Sequence, residues 1–233
     1  NLPAHLITFW SISQLNFVGW LVQCHLDQGS ISQAETLYYE ILANKQAMNG
    51  WYLFLINGPG LPRLIFAKRD LSTVKHRAGN FEESERLALE CVQELKRRCF
   101  WPMTKVKFSG DLTIHGELVR TMIWLGMIKR DQGRYKEAKS AFSEALRLSK
   151  EKLGCSHPTT LEVMVALADC LKSDLCLYDE AQALESEALE IGRKVLGPKH
   201  HETLRAMDSL ADSSLLRGDF AGAERIHSEV LVL

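Results

Sequence analysis

The chain has 233 residues, 46% hydrophobic and 24% charged, the composition of a folded protein with a sizeable core, which excludes a disordered chain. Lys and Arg number 28 against 29 Asp and Glu, a net charge of −1, so no surplus of cations exists to displace counterions from a phosphate backbone, and nucleic acid is not an expected partner. The six cysteines (Cys24, Cys91, Cys99, Cys155, Cys170, Cys176) form no CxxC pair and fall mostly at apolar helical positions, which points to a reducing, cytoplasmic setting.

From Ala4 to Leu26 the sequence has no Asp, Glu, Lys or Arg, and that length would suffice to cross a bilayer. Thr8, Ser11, Ser13, Gln14, Asn16 and Gln23 interrupt it, so the stretch predicts a buried first helix rather than a membrane span. No basic segment precedes it, and no signal peptide is expected.

Gly29-Ser30-Ile31-Ser32-Gln33-Ala34 opens a series of related turns. Gly79-Asn80-Phe81-Glu82-Glu83-Ser84, Gly133-Arg134-Tyr135-Lys136-Glu137-Ala138, Cys176-Leu177-Tyr178-Asp179-Glu180-Ala181 and Gly218-Asp219-Phe220-Ala221-Gly222-Ala223 follow it. The successive steps are 50, 54, 43 and 42 residues, and a period near 40 is that of a stacked array. A Leu and a small residue precede each turn: Leu21-Val22, Leu71-Ser72, Leu125-Gly126, Leu167-Ala168 and Leu210-Ala211.

After the turns, Tyr135, Ala138, Phe142, Ala145 and Leu146, and then Tyr178, Ala181, Leu184, Glu185, Ala188 and Leu189, share one helical face. Glu82 with Arg86 and Glu190 with Lys194 are expected to pair on the opposite face. The unit is helix A, a tight turn, helix B. The chain is therefore expected to be all-α, one array over 1–233 of about five antiparallel helix pairs, with approximate repeats 4–47, 61–98, 112–153, 158–196 and 201–233.

Two long connections break the period. Met48 to Pro62 holds Trp51-Tyr52-Leu53-Phe54-Leu55-Ile56, closed by Asn57-Gly58-Pro59-Gly60. This run is expected to pack under the array. Cys99 to Asp111 is expected to be an inter-repeat loop. Further on, Leu153-Gly154-Cys155-Ser156-His157-Pro158-Thr159-Thr160-Leu161 returns 43 residues later at Leu196 to Leu204, with Pro158 at a helix start, where its fixed φ is tolerated.

Catalytic and metal motifs are missing from the sequence. His115 with Glu117, and His200-His201-Glu202, are its densest groups of His and carboxylate, but neither matches HExxH, and there is no GxSxG or phosphate-binding loop. Cys155 and His157 recur opposite His200 and His201 without zinc-ligand spacing. No enzyme activity, metal or cofactor is expected.

The Gly-x-aromatic turns, the Leu-small pairs and the Leu-Gly-x-x-His-Pro-x-Thr-Leu connection resemble tetratricopeptide repeats of the kinesin-light-chain type. They are also similar to repeats that follow nucleotide-binding modules in receptors of the STAND class. The resemblance implies a right-handed α-solenoid whose A helices line a concave groove for a peptide or a partner's helix, and hence an interaction scaffold. The alternative it implies is a sensor segment of a larger nucleotide-binding protein, and a solenoid that binds a small molecule or is catalytic, through His115 and Glu117, is a less favoured third.

In the light-chain type the two positions before the Leu of each Leu-small pair are commonly Asn. Here they are Gly19 and Trp20, Arg69 and Asp70, Ile123 and Trp124, Val165 and Ala166, and Asp208 and Ser209. The groove implied by the resemblance comprises Trp20, Arg69, Asp70 and His76 in the first two repeats. Arg120, Ile123, Trp124, Met127 and Arg130 follow in the third, and Asp169, Arg205, Asp208 and Asp212 in the last two. Ile123, Trp124, Val165 and Ala166 either anchor an apolar ligand or pack on neighbouring helices, and Arg69, His76, Arg120 and Arg130 are placed to meet an acidic flank.

Overall fold

The computed structural model describes residues 28, 30, 32–39, 63–99, 114–174 and 176–232. Ala4 to Leu26 with Trp20, the 48–62 connection and most of 99–111 lie outside these residues. The described residues form helices and turns only, in two compact units that divide between Phe108 and Ser109.

The first unit pairs α1 (Arg63–Arg77) with α2 (Phe81–Cys99). At the crossing point the small residue of the Leu-small pair is Ser72, fully buried against Ser84. The Ser72 hydroxyl donates to the Ser84 carbonyl and the Ser84 hydroxyl to the Ser72 carbonyl, both at 2.8 Å. Two buried hydroxyls are thus satisfied where an apolar contact would otherwise serve. Arg86 pairs with Glu83 and, at 2.8 Å, with Glu90, rather than with Glu82.

Residues 32–39 are helical and meet α1 through side-chain contacts. Lys75 Nζ lies 2.9 Å from Glu35 Oε2 and 5.4 Å from the centre of the Tyr39 ring. Tyr38 is buried, and burial, with the Asp70 carboxylate it bonds to, raises its phenol pKa.

The second unit holds α3 (Ile114–Asp131) with α4 (Tyr135–Lys152), α5 (Pro158–Asp174) with α6 (Tyr178–Ile191), and α7 (His201–Leu216) with α8 (Phe220–Val232). Here α3, α5 and α7 are the A helices. Each is packed against its own B helix, α4 and α6 also pack against the A helix that follows, and α3 meets α5 as α5 meets α7. The A helices thus form a continuous layer.

The turns repeat one backbone solution. Gly133 N–H donates to Arg130 O at 2.8 Å and Arg134 N–H to Lys129 O at 2.9 Å, with Gly133 at φ 75°. This Schellman closure needs the left-handed conformation that glycine adopts without a Cβ penalty. Gly79 and Gly218 do the same at φ 77° and 81°, whereas Cys176 holds the equivalent position at φ 53°. A Cβ at Gly133 would meet nothing within 4 Å, so Gly133→Ala tests the backbone alone. It is expected to cost about 1–2 kcal/mol in urea unfolding, while Cys176→Gly is expected to be neutral or to stabilise by up to about 1 kcal/mol.

Two of the histidines of the repeated connection, His157 and His200, cap helices. His157 Nδ1 accepts from Thr159 N–H at 3.1 Å and His200 Nδ1 from Glu202 N–H at 3.2 Å, each meeting an otherwise orphaned donor of the helix start. Beyond α6 the helix widens into a π turn over Gly192–Leu196. Gly192 sits there because α7 comes close: a Cβ would lie 2.8 Å from Thr203 Oγ1.

Candidate functional site

Repeat spacing brings three charged residues to the same level of the A-helix layer. Arg120 on α3, Glu162 on α5 and Arg205 on α7 are 42 and 43 residues apart. The charged groups that act on Glu162 are Glu202, Arg205, Arg120 and His201, all carried by α3 and α7. Glu162 therefore faces along the A layer rather than toward the B helices.

Both arginines are engaged within their own helices. Arg120 Nη1 bonds Glu117 Oε1 at 3.1 Å, and Arg205 Nη1 bonds Glu202 Oε2 at 3.1 Å. The two carboxylates are largely buried, with side-chain exposures of 5% and 12%, whereas the arginines are about a third exposed at 36% and 37%. Glu162 is half-buried and makes no hydrogen bond or ion pair among the described residues. Burial, reinforced by the Glu202 carboxylate, raises its pKa against the opposing pull of Arg205, Arg120 and His201.

One helical turn further on, the layer changes character. Ile123 is buried at 4% exposure, as are Val165 and Ala166 one repeat later; of the two readings the sequence allowed, packing is the one these three side chains follow. Trp124 and Met127 are half-buried. Arg130 is half-buried beside Asp131, with Nε 3.3 Å from Oδ1.

On α5 and α7 the layer is acidic. Asp208 is 72% exposed, with its carboxylate 3.7 Å from His227 Nδ1, and Asp212 is exposed. Asp169 is partly exposed and belongs to a network that the sequence did not disclose. Lys172 is 5% exposed, and its ammonium donates to Glu185 Oε1 at 3.1 Å and to the backbone and hydroxyl oxygens of Ser209 at 2.9 Å, and pairs with Asp169 Oδ1 at 3.1 Å. The Ser209 hydroxyl lies 2.6 Å from Glu185 Oε1 and 2.9 Å from Asp169 Oδ1, and donates to one of them. Three helices, α5, α6 and α7, are tied together by one ammonium.

The remaining predicted residues lie in the first unit. Arg69 Nη2 is 3.6 Å from Asp70 Oδ1, and the His76 ring meets Phe81 edge-on at 5.1 Å. His115 and Glu117 face different neighbours. Glu117 pairs with Arg120, while burial and Lys152 lower the His115 pKa and Glu151 raises it. Among the described residues no group of three or more His, Cys, Asp or Glu is arranged to hold a metal ion, and no helix is long and apolar enough to cross a membrane.

Sequence reading named Arg120 and Arg205 as groove residues but passed over Glu162. Its signal was present: the 42- and 43-residue spacing that aligns the two arginines places a glutamate between them. Lys172 had no such signal, because its partners come from three helices.

The tetratricopeptide repeat model matches residues 117–184 and 171–231. No sequence among the curated proteins matches the chain. Among solved structures, BtubC (BKLC) of P. vanneervenii is 17% identical at a TM-score of 0.71, covering 93% of this chain and 78% of that one. The kinesin-light-chain-type repeats of Podosopora anserina are 16% identical at a TM-score of 0.67, covering 96% of each chain. The STAND-class signal transduction ATPase of Pyrococcus horikoshii, which has a tetratricopeptide repeat sensor, is 15% identical at a TM-score of 0.62; the match covers 96% of this chain and 30% of that one. At these identities the likeness is one of fold, an all-α solenoid of helix pairs. Residues 117–231 are tetratricopeptide repeats, the family whose model they match.

Proposed function

We propose that the chain is a non-enzymatic interaction scaffold whose A-helix layer receives a peptide or a partner's helix. The observation that carries the reading is the continuous layer of α3, α5 and α7, which leaves Arg120, Trp124, Met127, Arg130, Glu162, Asp169, Arg205, Asp208 and Asp212 at least partly accessible on successive turns. A solenoid uses such a surface because every repeat contributes one strip of it. Arg69, Asp70 and His76 belong to the same proposal in the first unit. Cys91 and Cys170, buried as small hydrophobes and in no disulfide among the described residues, support a cytoplasmic setting.

The test is a selection of peptides from a random display library on the whole chain, followed by titration of the selected peptides. Met127→Arg is expected to weaken their binding by about tenfold or more, and Glu190→Arg, on an exposed position of α6, by less than about twofold. Equal loss from both substitutions, or none from Met127→Arg, removes the A-helix assignment.

Similarity to the repeat sensor of the Pyrococcus horikoshii ATPase favours a second reading, a regulatory segment of a nucleotide-binding protein. A reading frame that encodes a Gly-x-x-x-x-Gly-Lys-Ser/Thr loop in continuity with these repeats supports it, and a frame without one removes it.

A further inference from the structure

The charges of the A-helix layer are unequally free. Arg120 and Arg205 each have a carboxylate of their own helix within 3.1 Å, and Arg130 has Asp131 beside it. Lys172, at the level of Arg130 one repeat later, is turned inward and shared between Asp169 and Glu185. The cations of the layer are thus already offset by carboxylates of the chain.

The anions are not offset in the same way. Glu162 stands between the two engaged arginines, half-buried and without a hydrogen bond or ion pair among the described residues. The carboxylate of Asp212, exposed on α7, makes none either, and among the described residues that of Asp208 pairs only with the imidazole of His227. Glu162 on α5 and Asp208 and Asp212 on α7 lie on adjacent A helices. A half-buried carboxylate has lost part of its hydration and gains most from a cation that arrives with its own hydrogen-bond donors.

We propose that the A-helix layer of the second unit binds a peptide segment carrying lysine or arginine, with one cationic side chain seated at Glu162 and further ones along Asp208 and Asp212. The proposal rests on the scaffold reading above and narrows it. It reverses the charge expected from the sequence, where Arg120 and Arg130 were placed to meet an acidic flank. Those guanidiniums are instead occupied by Glu117 and Asp131. Complementary charge of this kind selects the partner and its orientation more than it adds affinity, and its contribution falls as salt is raised.

Three fluorescein-labelled peptides of equal length and identical apolar residues, with polar positions all lysine, all glutamate or all glutamine, are titrated against the whole chain. The lysine peptide is expected to bind about tenfold more tightly than the glutamate peptide at low salt, the gap narrowing as salt rises. Glu162→Gln is expected to weaken the lysine peptide about fivefold and to leave the glutamine peptide unchanged. Asp212→Asn, a substitution on the exposed surface that leaves the fold alone, is expected to weaken the lysine peptide about twofold.

Glutamate and lysine peptides bound equally well overturn the charge assignment, as does a lysine peptide indifferent to both substitutions. Equal binding of all three peptides that is still lost in Met127→Arg leaves the scaffold reading standing and removes only this inference. If none of the three binds, both are overturned.

Discussion

Replacing Lys172 by methionine is expected to cost about 3–5 kcal/mol of stability, because it strands Glu185 and Asp169 without the ammonium that neutralises them. Glu185 is fully buried, and its Oε2 has no hydrogen-bond partner among the described residues. Its Oε1 is held by Lys172 and Ser209. Burial by itself would lower the Lys172 pKa, but Asp169 and Glu185 outweigh it and raise the pKa above the ordinary 10.5.

A raised lysine pKa stabilises the folded chain fully below the unfolded value, and that contribution is lost only as pH rises through the folded one. Across the neutral range Lys172 therefore stays protonated and its contribution to the folded chain does not change. Removing both charges should recover most of the cost of Lys172→Met: Lys172→Met with Glu185→Leu replaces an ion pair by apolar volume, an exchange that is often neutral. Urea unfolding of the single and double variants checks this, and equal losses from both would show that the pair is not the cause.

Phe142→Ala is expected to cost about 3–5 kcal/mol, the usual range for deleting a fully buried aromatic ring. Phe142 is 0% exposed and packs on Gly126, where an added Cβ would stand 2.7 Å from the ring. The Leu-small signature thus has a mechanical meaning here: the small residue is the seat of the B-helix ring. Gly126→Ala alone is expected to cost about 1–3 kcal/mol from overpacking. Combined with Phe142→Leu it should cost less than the sum, since the smaller side chain yields the space; strict additivity would separate the two sites.

The same alignment shows what the sequence could and could not disclose. Turn positions were legible because αL geometry recruits glycine at Gly79, Gly133 and Gly218, and spacing carried the reading across Cys176, where the left-handed backbone persists without glycine. Glu185 could be placed on the packing face of α6, in the position Phe142 holds on α4, because helical periodicity is independent of residue chemistry. What periodicity could not supply was its partner. Lys172 and Ser209 come from α5 and α7, and their convergence depends on how three helices pack.

The candidate site divides in the same manner. The level of Arg120 and Arg205 follows from the repeat length, yet whether a guanidinium is free for a ligand depends on Glu117 and Glu202 three residues earlier, whose burial is a tertiary property. Ile123 and Val165 read as either anchors or core. They are core, because the layer between successive A helices needs apolar volume at that level.

The most direct test of the A-helix layer as the binding surface is an amide-resolved footprint of the lysine peptide on the whole chain. The account predicts perturbations on α3, α5 and α7, strongest around Glu162, Asp208 and Asp212 and absent from the exposed positions of α4 and α6. A footprint confined to α4, α6 and α8, with Glu162 unmoved, would contradict it.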